Sequence, residues 1–201
     1  MINKTFTPVI IIAAGSFSGK SIIANYIANK YCFSGVLSTD MVRNFFHVTT
    51  KNEEIFSTST YKMPVSALNT QKEKVSQTIL GIIDIYLKRG EKIIIEGMHF
   101  SESFLASLTE KDFLLIGLDN KLSVKEKVVL KRNTTRMGIS MKTEDEEHRI
   151  EEISTELLNC CRNNGFNIIE FDDIEEAKRA CENLVEEYLR GLEEKRAGIV
   201  H

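Results

Sequence analysis

The sequence predicts an α/β fold, a doubly wound parallel sheet with helices on both faces, and three observations carry that prediction. Continuous β-branched and aliphatic runs (VIIIAA, KIIIE, FLLIGLD) have the composition of strands covered on both faces. Helix-periodic segments alternate with those runs, the rhythm of a parallel sheet with crossover helices. The first run also passes directly into GSFSGKS, a glycine-rich turn that opens a helical stretch.

The elements follow in order. Val9 to Ala14 is the first strand, and Lys20 to Tyr31 is a helix with apolar positions at Ile22, Ile23, Tyr26 and Ile27. GVLSTD, Gly35 to Asp40, reads as a short strand ending in polar residues. NEEIFSTSTYKMP is polar, is broken by Pro64, and reads as an irregular insertion. A long helix from Thr70 to Arg89 stops at Gly90, in the manner of a C-terminal glycine cap. Lys92 to Glu96 and Phe113 to Asp119 are two further buried strands. A basic helix spans Ser123 to Met137 and another helix spans Glu147 to Asn164. FNIIEF, Phe166 to Phe171, is the last strand, and a helix from Ile174 to about Leu192 closes the chain. No repeat or low-complexity linker divides the 201 residues, so one domain is expected, with a lid at about 123–145.

Composition narrows the partners. A formal charge of −3 supplies no basic field, which argues against nucleic acid. Four cysteines (Cys32, Cys160, Cys161 and Cys181) show neither metal-ligand spacing nor a disulfide framework, and read as reduced thiols in a cytoplasmic protein. The apolar run at the N-terminus is too short for a secretion signal, and no segment approaches membrane-spanning length.

The turn itself has chemistry. In a strand–turn–helix context, the backbone N–H groups of Gly15, Ser16, Phe17, Ser18, Gly19, Lys20, Ser21 and Ile22 would point at an anion at the positive end of a helix. Lys20 would neutralise terminal phosphates and the Ser21 hydroxyl would ligate Mg²⁺. Two positions depart from the usual loop: Ala14 stands six residues before the lysine, and Phe17 replaces a glycine. Neither change removes a backbone donor. Phe17 would be strained if its position requires positive φ, and its ring would turn toward solvent or toward a bound base.

Charged residues gather at the ends of the other strands. Glu96 ends IIIE, where doubly wound sheets build their sites, and would hold a metal-bound water or a substrate hydroxyl. Asp40, with Arg43 three residues on, would share one face of a helix beginning at the aspartate. Asp40 suits both a plain helix cap and an acceptor for a hydroxyl proton, while Arg43 suits an anionic substrate. Arg132 and Arg136, four apart, suit phosphate oxygens on a basic helix, or simply a solvated face. Of the four histidines only His99, in EGMH, stands near other candidates.

Taken together, AAGSFSGKS, GVLSTDMVR, STSTY, IIIEGMHF and HRIEEI resemble the archaeal 2-phosphoglycerate kinase family of P-loop kinases. The resemblance covers most of the chain, and EGMH with STD and STSTY are its more discriminating parts. It implies a three-layer P-loop kinase fold, with a five-stranded parallel sheet in the order 2-3-1-4-5, flanking helices and a helical lid. It implies ATP and Mg²⁺ as cofactors, with Ser21 and Glu96 on the metal. It implies transfer of the γ-phosphoryl group to a small hydroxyl-bearing, anionic acceptor, read here as a phosphorylated acid such as 2-phosphoglycerate. Asp40, Arg43, Ser59, Tyr61, Glu96 and His99 would line the acceptor site, and Lys20, Asp40, Arg132 and Arg136 would serve catalysis. A homodimer is compatible with this reading. Two alternatives stay open: a nucleoside or other metabolite kinase, and a nucleotide-binding regulatory module without turnover.

Overall fold

The computed structural model describes residues 6–50, 54–134 and 140–198. Five strands form one parallel sheet: β1 (Val9–Ala13), β2 (Gly35–Ser38), β3 (Ile93–Gly97), β4 (Leu114–Asn120) and β5 (Asn167–Phe171). Their order is β2-β3-β1-β4-β5, as expected. Period-two alternation divides each strand between two cores. Val9, Ile11, Ile93, Ile95 and Leu115 face one side, against α4 (Val65–Arg89), α5 (Glu102–Leu108) and α7 (Glu144–Asn163). Ile10, Ile12, Ile94, Leu114 and Ile116 face the other, against α1 (Lys20–Lys30) and α8 (Ile174–Arg196). Because both faces are covered, the three central strands need apolar side chains at nearly every position. Each fully buried isoleucine contributes about 1.5–3 kcal/mol of transfer free energy.

Several boundaries differ from the sequence reading for local reasons. The second strand stops at Ser38, and α2 (Thr39–Thr49) begins where strand was expected to continue. Ser38 is the cap, its hydroxyl accepting from the Asp40 amide at 3.2 Å, so Asp40 lies in the first turn and is not the capping residue. The insertion contains a short helix, α3 (Glu54–Ser57), and a 3₁₀ turn at Thr60–Lys62. α4 starts at Val65 instead of Thr70 because Pro64, with its fixed φ, occupies the cap where no helical N–H is needed. Gly90 ends that helix in the left-handed region, φ 69°, as expected. α7 starts at Glu144 on a reciprocal capping box between Thr143 and Glu146. α6 (Val124–Thr134) occupies the expected basic segment, whose remainder to Met137 falls outside the described residues. No helix among the described residues is long and apolar enough to cross a membrane.

Parallel register brings the functional candidates to one edge. Glu96 lies beside Ile12 on β1 and Ser38 on β2, and Gly97 lies beside Ala13. The loop after β1, the start of α2 and the turn after β3 therefore meet at the carboxyl end of the sheet, where such folds bind ligands.

Candidate functional site

The loop is closed by its own polar groups. Ser18 Oγ donates to the Gly15 carbonyl at 3.0 Å, and the buried Lys20 Nζ donates to the same oxygen at 3.3 Å. That places the ammonium over the turn. Gly19 precedes α1 with φ 87°, a conformation glycine adopts without strain. α1 has no side-chain cap and no acidic residue in its first turn, so its positive end is left for an external anion. Gly15 is required for a different reason. A Cβ there would stand 1.9 Å from Ser154 Oγ on α7. This close approach locks the loop against the opposite helix layer.

Phe17 takes the strain that the sequence raised as a question. Its φ is 62°, in the left-handed region, where a bulky residue costs roughly 1–3 kcal/mol. The ring is half-buried. It packs on Val124 and Val128 of α6 and Ile150 of α7, and the Lys131 ammonium sits over it, 5.2 Å from the centroid. Cation and ring attract across that distance. Phe17 thus joins the phosphate loop to the segment expected to act as a lid.

Glu96 is 3% exposed, and its two oxygens differ. Oε1 accepts from Ser21 Oγ at 2.9 Å, while Oε2 is buried with no hydrogen-bond partner among the described residues. An unpaired buried carboxylate oxygen is costly and calls for a cation or a donor. A carboxylate with a hydroxyl, both oxygen ligands beside a phosphate loop, fits Mg²⁺, which keeps waters and phosphate oxygens as its other ligands.

The facing wall is built differently. Arg43 donates from one terminal nitrogen to the Phe56 carbonyl at 3.1 Å and from the other to Asn44 Oδ1 at 2.9 Å. Its Nε lies 3.6 Å from Asp40 Oδ1 and has no hydrogen bond among the described residues. The guanidinium is anchored at two points, with its inner edge beside a half-exposed carboxylate. Behind the pair His99 is fully buried. Thr39 Oγ1 receives the Met98 and His99 amides at 3.3 and 3.4 Å, which occupies both of its lone pairs. Its proton must then go to His99 Nδ1, 3.0 Å away, so the ring carries its own proton on Nε2 and donates it to Thr60 Oγ1 at 2.9 Å. Burial holds this neutral imidazole down to a pKa of about 4, against a smaller upward pull from Asp40. Gly97 allows the same packing, because a Cβ there would collide with Thr39 Oγ1 at 1.9 Å.

The structure therefore brings together Gly15 to Ile22, Asp40, Arg43, Glu96 and His99. In STSTY it is Thr60 that reaches His99, while Ser59 is exposed ahead of the 3₁₀ turn. Tyr61 packs beside the α6 cluster, and its hydroxyl accepts from Lys142 at 2.7 Å. Arg132 is exposed on α6, and Arg136 lies outside the described residues. Lys131, one position before Arg132, is the α6 cation seated on the loop. Partial burial and Lys20 lower its pKa, with Asp40 and Glu96 acting in the opposite sense. Sequence reasoning missed Lys131, Thr39, Thr60 and Ser154. Lys131 lay in the basic run, and Thr39 and Thr60 lay inside the quoted STD and STSTY segments without being singled out. A cavity of about 270 Å³ opens beside the loop, between Ser16, Asp119, Lys127 and Ser154. The four cysteines are unbridged, and burial raises the thiols of Cys161 and Cys181 to about 12, which makes them inert.

No protein-family model matches the chain, and no curated protein matches it. Among solved structures, a shikimate kinase from Acinetobacter baumannii in complex with shikimate is similar with a TM-score of 0.57 at 14% identity, covering 92% of this chain and 94% of that one. A shikimate kinase from Bacteroides thetaiotaomicron has a TM-score of 0.57 at 13% identity, covering 89% and 98%. At such identities the likeness is one of fold. The chain shares the fold of these structures, a five-stranded parallel sheet in the order 2-3-1-4-5 with flanking helices, and the likeness stops short of the 2-phosphoglycerate kinase family.

Proposed function

We propose that this chain is an ATP-dependent kinase that transfers the γ-phosphoryl group to a hydroxyl of a small anionic metabolite, of which 2-phosphoglycerate is the type. The observation that carries the reading is the orphaned Glu96 Oε2 beside Ser21, directly behind a lysine-bearing phosphate loop. Ser21 and Glu96 would hold Mg²⁺, which when bound supplies charge neutralisation on the phosphates.

The chain's own residues then have separate tasks. The loop amides and Lys20 bind the triphosphate and stabilise charge at the breaking bond. Asp40 accepts the acceptor's hydroxyl proton as its oxygen bonds to the γ-phosphorus and the bond to the ADP oxygen breaks. Arg43, anchored by Phe56 and Asn44, offers its inner edge to the acceptor's negative charge. His99, neutral and held by two threonines, fixes the turn between Glu96 and α2 instead of moving a proton. Arg132, Arg136, Ser59 and Tyr61 remain assigned to the lid and acceptor rim, within a lid spanning about 123–145 of a single domain.

The test is a coupled assay with ATP and Mg²⁺ against 2-phosphoglycerate, shikimate and a neutral nucleoside. An anionic hydroxy acid should be the best acceptor. A neutral nucleoside as best acceptor would overturn the acceptor class. ATP binding with no transfer to any acceptor would favour a nucleotide-binding module without turnover.

A further inference from the structure

We propose that Phe17 is a positioning residue whose ring holds the Lys131 ammonium against the phosphate loop, making Lys131 the lid cation that meets the transferred phosphoryl group. The inference rests on the kinase reading above. Three observations point to it. Phe17 occupies the left-handed region at a loop position where glycine would be unstrained, so something holds it there. What holds it is the cluster of Val124, Val128 and Ile150, which fastens the loop to α6 and α7. The ring's outer face then carries Lys131, 5.2 Å from the centroid.

Position makes this cation functional. Its charge is coupled to Lys20, Asp40 and Glu96, the residues on either side of the transfer path. Arg132 lies one residue further, about 100° around the helix; both side chains are exposed, and it is Lys131 whose ammonium stands over Phe17. In the transfer the acceptor oxygen–phosphorus bond forms and the phosphorus–ADP oxygen bond breaks, with the proton passing to Asp40. Negative charge spreads over the three equatorial oxygens, and a cation arriving from α6 lowers the energy of that state more than of the bound triphosphate. The aromatic face suits the task because it attracts the ammonium without donating a proton or neutralising it.

The experiment compares binding of ADP·Mg²⁺ with binding of ADP·Mg²⁺ plus aluminium fluoride, a mimic of the phosphoryl group in flight that needs no acceptor. Lys131→Ala should weaken the aluminium fluoride complex about 100-fold while changing ADP affinity by about twofold or less. Lys131→Arg should recover most of the loss. Phe17→Leu, which keeps apolar packing on α6 but removes the ring, should cost about tenfold in the same complex. Added to Lys131→Ala, it should cost nothing more. Equal losses for ADP and for its aluminium fluoride complex, or an additive double variant, would reduce Phe17 and Lys131 to structural parts. Wild-type protein that binds neither ADP nor ATP would sink the kinase reading along with the inference.

Discussion

The two walls of the site handle their polar groups in opposite ways. On the side proposed for the nucleotide valences are left open: Glu96 Oε2 has no partner among the described residues, and α1 begins without a side-chain cap. On the side proposed for the acceptor polar groups are largely consumed by one another, with Arg43 Nε the exception. Thr39 and Thr60 satisfy both nitrogens of His99, and Arg43 is tied to Phe56, Asn44 and Asp40. The lesson is that open valences mark where a ligand supplies charge, and closed ones mark what must be kept rigid. Binding energy should come from the first wall, geometry from the second.

Substitutions on each wall can break that contrast, and the largest effect is expected on the open side. Lys20→Ala removes the cation over the loop and should lower phosphoryl transfer roughly 10³-fold, about 4 kcal/mol. Steady-state kinetics with a saturating acceptor would show it, and unchanged turnover would remove the loop from the mechanism.

A smaller effect belongs to His99 and concerns stability. Its pKa is about 4 in the folded chain against about 6.5 when unfolded, so below about 6.5 the unfolded state binds the extra proton. Stability is therefore complete above that pH and falls as the solution is acidified, by about 3 kcal/mol once pH 4 is reached. Urea unfolding of wild type and His99→Gln at pH 7 and pH 4.5 isolates this contribution. The variant should be less stable at pH 7 and show a flatter pH dependence. Parallel curves would mean that the imidazole is not locked in its neutral form.

The smallest effect sharpens the division of labour. Arg43→Ala should raise the acceptor KM about tenfold, or about 1.4 kcal/mol, with ATP affinity unchanged. A matching loss of ATP affinity would mean that the two walls are not separate.

Much of the framework was readable from residue types, because strands buried on both faces must be written in isoleucine, valine and leucine. The sheet order came with the family resemblance and not from any run. The helix after β2 was raised only through Asp40 and Arg43, although TDMVRNFFHVT is strongly amphipathic; its apolar positions include Met41, Phe45 and Val48, which stay exposed. α5, at seven residues, is too short for periodicity to register. The loop, Asp40 and Glu96 could be singled out because each ends or closely follows a strand, and Arg43 because it lies one helical turn after Asp40. Thr39 and Thr60 lay inside quoted motifs and Ser154 outside them, but none was singled out, since their contacts with His99 and Gly15 span long stretches of sequence. Choosing Lys131 over Arg132 is a matter of helix phase, set by where Phe17 and Val128 anchor α6.

The assignment of the open valence on Glu96 to a metal bound with a nucleotide has one direct test. ATP is titrated calorimetrically into wild type and Glu96→Gln, each with and without Mg²⁺. Glutamine keeps the size and can still accept from Ser21, but it carries no charge. Wild type should bind ATP at least tenfold more tightly with Mg²⁺ than without it, and Glu96→Gln should lose most of that gain while keeping its metal-free affinity. An identical Mg²⁺ dependence in the two proteins would contradict the assignment.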